Sequence, residues 1–465
     1  MKKALFTTFI FLLFSFGACG IQREVNPTDS LFFRNGNRIC FVGNSITNNG
    51  EFHHNIYLFH LTRYPQEQIT FFNCGISGDV TGGILKRMDD DILINNPTHA
   101  VIMIGMNDVR RNLYGQRPTQ NADTLRMRRE AIDLYKQNLE KIIEVFLSKN
   151  IRVILQKPSI YDQTGQLQAF NNFGVNDALK ACADYIEIMA AKYKLPVVDY
   201  WTIMTNLNTE LQKSNPSATL TSKDRVHPES TGHLVMAYQF LKTEKLTPLV
   251  SKIIINAKTK KLQANLGNCL MNNYLNSAEV ISFDVKELSL PFPVAVNQQK
   301  ALDLVPFMKE LNMEYFRISN LKPGEYEIKI DNTLIGTFNH KALDEGINLA
   351  EIRETPQYQQ SLKVRTVLEE LWKLEANLRG LKFIEYNPYF KSCPDKENLA
   401  TVQTYLDSVF TAKYDNPYYK LKLGEYIKNK PFEAGFKTRS DSLRNEAIKA
   451  AQPVVHHFEI RRKKA

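Results

Sequence analysis

Residues 37–47 read NRICFVGNSIT. The first part, NRICFVG, is an apolar run rich in β-branched and aromatic side chains, which predicts a strand buried on both faces. It stops abruptly at Gly43-Asn44-Ser45, a small polar loop with a hydroxyl at its tip. Such an ending has two readings: a turn that needs small residues, or the seat of a nucleophile. The stretch alone does not choose between them, so the partners must come from elsewhere in the chain.

Outward from this run, strands alternate with helices up to about residue 248. Further strands are predicted at 69–75 (ITFFNCG), 98–105 (THAVIMIG), 151–157 (IRVILQK) and 195–200 (LPVVDY). Helical spacing covers about 52–64, 81–93, 125–148, 172–193 and 231–244. Near-continuous apolar strands joined by helices imply an α/β domain. Its parallel sheet of five strands would be covered on both faces, in three layers wound by right-handed crossovers. The pattern changes near Leu246. Residues 249–345 read as a β-rich module, with a hairpin at 325–338 turning at Asp331-Asn332. Residues 346–465 read as a helical C-terminal region. There Val364, Val367, Leu368, Leu371, Leu374 and Leu378 mark one apolar helical face. Two aromatic turns follow, Tyr386-Asn-Pro-Tyr-Phe and Tyr414-Asp-Asn-Pro-Tyr-Tyr. They either pack helix ends or line a sugar subsite.

The N-terminus has the form of an export signal. Lys2 and Lys3 precede an apolar stretch from Ala4 to Phe16, too short to span a bilayer comfortably, and small residues follow. Cys19 after Gly17-Ala18 resembles a bacterial lipobox, with Phe16 where such motifs prefer Leu. Residues 1–19 are therefore expected to be a signal peptide with a lipidation site at Cys19. The protein would be exported to the periplasm or cell surface and held to a bacterial membrane only by that lipid. The chain of 465 residues carries a formal charge of +10. Its basic residues are dispersed, without a cluster interleaved with aromatics, so nucleic acid is not an expected partner. The Arg-Arg-Lys-Lys run at 461–464 reads as a solvated end. Six scattered cysteines, five without Cys19, make neither a disulfide framework nor a zinc-ligand spacing.

In an open parallel sheet, ligands bind beyond the carboxyl ends of the strands. The first strand delivers Ser45 there. The second delivers Gly78 in Gly-Ile-Ser-Gly-Asp, and the third delivers Asn107 in Gly-Met-Asn-Asp. After the fifth comes Lys-Asp-Arg-Val-His-Pro, with Asp224 and His227 three residues apart. Each has a plain structural reading as well: a turn, a helix cap, a second cap, a surface histidine. Together they supply a nucleophile, two oxyanion donors, and a base with its orienting acid, the set that serine hydrolysis needs.

These blocks resemble those of the SGNH, or GDSL-type, hydrolase superfamily, named for a Ser, Gly, Asn and His drawn from successive motifs. The matches are Ser45 in GNSIT, Gly78 in GISGD, Asn107 in GMND and His227 in DRVHP, with Asp224 three before the His. The resemblance covers residues 37–245. It departs at Asn44, where many members carry Asp. It implies a flavodoxin-like sheet and an esterase that uses no metal and no cofactor. It also implies Ser45, His227 and Asp224 as the catalytic residues. The oxyanion hole would be formed by the Ser45 and Gly78 amides and the Asn107 side chain. Residues 321–350 also resemble a β-rich extension found in some bacterial members. Export to the cell surface makes an acetylated glycan the expected ester substrate. The alternatives are a lipase, thioesterase or lysophospholipase, and a glycan-binding surface lipoprotein without catalysis.

Overall fold

The computed structural model describes residues 33–414 and 416–463; the expected signal and Cys19 lie outside them. The chain opens with β1 (Arg38–Gly43), α1 (Ser45–Asn49), α2 (Glu51–Arg63), β2 (Thr70–Gly75), α3 (Thr81–Lys86), β3 (His99–Met103), α4 (Ala122–Ser148) and β4 (Arg152–Gln156). It continues through α5 (Val175–Tyr193), β5 (Val197–Val198), α6 (Tyr200–Ser214) and α7 (Ser230–Thr243). The strands form one parallel sheet in the order β2-β1-β3-β4-β5. This is the flavodoxin-like order, and the chain reverses direction across the sheet between β1 and β3.

Alternation along β1 builds both layers. Ile39 and Phe41 face a core completed by Phe52 and Ile56 of α2 and by Leu234 and Phe240 of α7. Cys40 and Val42 face the opposite core, with Tyr135 and Leu139 of α4 and Leu179 of α5. Burial on both sides is why the strand reads as an unbroken apolar run. The cysteines among the described residues are all free and buried.

Three local expectations change. The predicted helix over 81–93 is α3 followed by a wide turn, Met88–Ile92, and a short tight one, Leu93–Asn95. The break lets Asp91 turn inward to Arg87, at 2.5 Å. The fifth strand shrinks to two residues because Asp199 caps α6, accepting from the Thr202 amide at 2.9 Å. Helix α6 itself went unpredicted, although Trp201, Met204 and Leu211 already give it an apolar face.

The later elements are β6 (Leu249–Asn256), β7 (Ala264–Gly267), β8 (Cys269–Asn276), β9 (Val280–Glu287), α8 (Phe307–Leu311), β10 (Met313–Ser319), β11 (Glu325–Ile330), β12 (Thr333–Asn339), α9 (His340–Glu345) and β13 (Ile347–Asn348). Then come α10 (Pro356–Glu385), α11 (Leu399–Lys413), α12 (Pro417–Asn429), α13 (Glu433–Ala450) and β14 (Val455–Arg462). Two sheets, β13-β10-β6-β7 and β12-β11-β14-β9-β8, share one core. The hairpin turns at Asp331-Asn332 with φ of 48° and 67°, the double left-handed turn that matches strand twist.

The expected boundaries are corrected at two places. The last strand, β14, lies between β9 and β11, so residues 455–462 belong to the β-rich module and not to a helical end. His456, Phe458 and Ile460 point inward with period two; Arg461 and Arg462 end this strand and remain exposed to solvent. Residues 290–311 also leave the β-rich module. Phe292, Val294, Val305 and Phe307 join the core of the α/β domain, beside Val364, Leu368 and Leu371 of α10. The helical arm is thus packed against the catalytic-type domain rather than tethered to it.

Candidate active site

The loops after β1, β2 and β3 meet at the carboxyl edge of the sheet, around the point where strand order reverses. Gly43 ends β1 because any Cβ there would overlap the Thr47 side chain and the Met103 carbonyl of the adjacent strand. Asn44 is buried and caps α1, its side chain accepting from the Ile46 amide at 3.1 Å. Asn and Asp are comparable N-caps, so the Asn in this motif is compatible with the same local geometry. Ser45 is then the first residue of α1, with no earlier helical turn to receive its amide N–H.

The Ser45 Oγ lies 2.7 Å from His227 Nε2, and His227 Nδ1 lies 2.5 Å from Asp224 Oδ2. Three residues from two distant segments therefore form one hydrogen-bonded line. Asp224 also accepts from the amides of Val226 at 2.8 Å and His227 at 3.0 Å. Partial burial alone would raise the Asp224 carboxyl. The hydrogen bonds from the His227 ring and from these amides overcome burial and hold it well below the usual carboxylate range. Asp224 is thus an anion aimed at the ring.

Arg225, between these two residues, fixes the loop. It is buried with φ of 69°, and its guanidinium donates to the carbonyls of Ala169, Asp162, Gly165 and Leu167 at 2.9–3.0 Å. Its role is absent from the sequence reading. The sequence signal was a bulky cation set between Asp224 and His227.

Gly78 is exposed with φ of 81°, a conformation that favours glycine, and its surroundings are open. Asn107 donates its side-chain amide to the Asp79 carbonyl at 3.0 Å, and its side-chain oxygen accepts from Arg111 at 3.4 Å. The expectation gave Asn107 only to the substrate. In the structure one of its two N–H groups ties it to the loop that carries Gly78. Arg111 lies near Asp224 as well, and burial lowers its guanidinium while Asp224 opposes that shift.

A chain of buried ion pairs runs beneath these loops. Arg87 donates to Asp79 Oδ2 at 2.7 Å, to Asp91 at 2.5 Å and to the Gly43 carbonyl at 3.3 Å. Arg379, from α10, donates to Asp91 at 2.6 and 2.8 Å and to the Gly75 carbonyl at 2.9 Å. The ends of β1 and β2 are thereby held by one connected set of charges. A cavity of about 630 Å³ lies elsewhere, lined by Tyr114 and by residues of α4 and α5, and Ser45 is not part of its wall. Among the described residues no group of three or more His, Cys, Asp and Glu side chains could hold a metal ion, and no helix is long and apolar enough to cross a membrane.

Residues 41–235 match the model of the GDSL-like lipase/acylhydrolase family. An acetylxylan esterase of Geobacillus stearothermophilus is 24% identical over 226 residues, 44% of this chain and 93% of that protein. A solved gut microbial diltiazem-metabolizing enzyme is 30% identical, with a TM-score of 0.85 over 93% of this chain and 98% of its own. The chain is thus an ester-bond hydrolase in class. It belongs to the SGNH, or GDSL-type, hydrolase superfamily.

Proposed function

We propose that the protein is an exported carbohydrate O-acetylesterase that works through Ser45, His227 and Asp224. The observation that carries this reading is the unbroken line from Ser45 Oγ to His227 to Asp224, at 2.7 and 2.5 Å. His227 Nε2 takes the hydroxyl proton as Oγ attacks the acetyl carbonyl. Asp224 holds the other ring nitrogen as a donor and stabilises the imidazolium. The oxyanion receives the N–H groups of Ser45 and Gly78 and the second amide N–H of Asn107. His227 returns its proton to the leaving sugar oxygen. Water, activated by the same ring, then releases acetate from Ser45.

The acetyl-glycan assignment is supported by the likeness to the acetylxylan esterase. Export and lipidation at Cys19 rest on the N-terminal sequence alone. A second reading, an esterase of small non-carbohydrate esters, is favoured by the likeness over nearly the whole chain to the diltiazem-metabolizing enzyme. Acetate release from a panel of acetylated polysaccharides, with p-nitrophenyl acetate alongside and Ser45→Ala as control, separates the two. Serine-dependent release from a polysaccharide is the expected result. Serine-dependent hydrolysis of the small ester alone would favour the second reading.

A further inference from the structure

The two aromatic turns of the helical arm are not absorbed by the chemistry above, yet they stand beside it. A cavity of about 350 Å³ is lined by Gly78 and by Tyr386, Tyr414 and Tyr419, with Lys86 and Lys391 also in its wall. That volume falls in the range of small-molecule sites, about 300–1,000 Å³. We propose that this cavity is a sugar subsite, seating a pyranose ring of the glycan whose acetyl ester lies at Ser45. The proposal rests on the acetylesterase reading and adds to it the place where the glycan sits.

Three features carry it. The first is position: the wall nearest the chemistry is Gly78, the proposed oxyanion donor, and it has no side chain to obstruct a substrate. The second is surface chemistry. Tyr414 and Tyr419 stack in parallel, 3.9 Å apart at 7°, giving a flat aromatic platform for the C–H face of a sugar. Asn416 caps α12 just before Tyr419, accepting from the Tyr418 amide at 2.9 Å. Burial, reinforced by Asp91 and Asp90, pushes the Tyr386 hydroxyl to about 12, so it remains a neutral donor and acceptor. The exposed amines of Lys86 and Lys391 can reach ring hydroxyls. The third feature is rigidity. Arg379 bolts α10 to Asp91 and the Gly75 carbonyl, so the aromatic wall is held at a fixed distance from Gly78.

The test compares kcat/KM for acetate release from acetylated xylo-oligosaccharides with kcat/KM for p-nitrophenyl acetate in the full-length protein. In Tyr386→Ala and Tyr414→Ala the ratio is expected to fall about tenfold, through KM for the oligosaccharide, equivalent to about 1.4 kcal/mol. Lys391→Glu changes an exposed side chain and carries no risk to folding; it is expected to lower the ratio about threefold. Ratios within about twofold of wild type in all three variants, with both esters still cleaved, overturn the subsite and leave the esterase reading standing. A wild-type protein that cleaves p-nitrophenyl acetate through Ser45 but no acetylated oligosaccharide overturns the glycan substrate and the subsite together. Loss of even the small-ester activity would instead overturn the reading of the catalytic residues.

Discussion

Replacing Arg379 with methionine keeps most of the side chain's length and removes its charge. It deletes two hydrogen bonds to Asp91 and one to the Gly75 carbonyl. Both partners are almost fully buried, with side-chain exposures of 8% and 3%. Removing one member of a buried pair costs about 3–5 kcal/mol when the other is left alone. Here Asp91 retains Arg87 at 2.5 Å, which places the effect at or below the lower end of that range. A second route gives a similar size. Burial alone would raise Asp91, but Arg379 and then Arg87 bring its carboxyl down to about 2 from 3.8, worth on the order of 2 kcal/mol in all. Arg379→Met should therefore lose about 2–3 kcal/mol at pH 7. The depressed carboxyl contributes its stability above pH 3.8 and loses it as the pH falls toward about 2. The deficit of the variant should accordingly narrow in acid. Urea unfolding of both proteins at pH 7 and near pH 3 measures this. A loss below about 0.5 kcal/mol at pH 7, or a deficit that grows in acid, would refute the reasoning.

Other parts of the site make their own demands. Asn107→Ala should lower turnover of p-nitrophenyl acetate on the order of a hundredfold, since one oxyanion donor is worth about 2.7–4 kcal/mol; turnover near wild type would remove Asn107 from that role. Arg225→Ala leaves several buried carbonyls without a donor, at about 1–3 kcal/mol each before water enters, so a drop in melting temperature should accompany the loss of turnover. Glu287 and Glu314 are fully interior, and burial first, then each other's charge in the case of Glu314, raise them above ordinary glutamate. A raised carboxyl gives its full stability below about pH 4.5 and loses it as the pH climbs. Glu314→Gln should therefore gain stability relative to wild type between pH 5 and pH 8; thermal melts at both values that shift in parallel would argue against it.

The sheet was legible because its strands are buried on both faces and so write themselves as apolar runs: RICFVG and HAVIM needed no context. The small residues at their ends were legible for the same reason, since Gly43, Ser45, Gly78 and Asn107 interrupt those runs. Asp224 and His227 were readable as a pair because they stand three positions apart. What escaped was long-range or short. Strand β5 has two residues, too few for a pattern. Strand β14 follows a long helix and ends in basic residues, which masked the alternation of His456, Phe458 and Ile460. The ion pair of Arg379 with Asp91 spans 288 residues, and local spacing carries no information about such a contact. Nothing in local spacing marks Arg87, Arg111 and Arg225; in the structure Arg87 and Arg225 donate to backbone carbonyls and Arg111 to the Asn107 side-chain oxygen. The second aromatic turn meets the first only because α11 and α12 fold back on the end of α10.

The central claim is that Ser45 is a nucleophile activated by His227. Intact mass of the protein after incubation with a fluorophosphonate tests it most directly. One adduct located at Ser45, absent from Ser45→Ala and strongly slowed in His227→Ala, is the result the hydrogen-bonded line predicts. No adduct on the folded protein, or equal labelling of the Ser45→Ala variant, would contradict it.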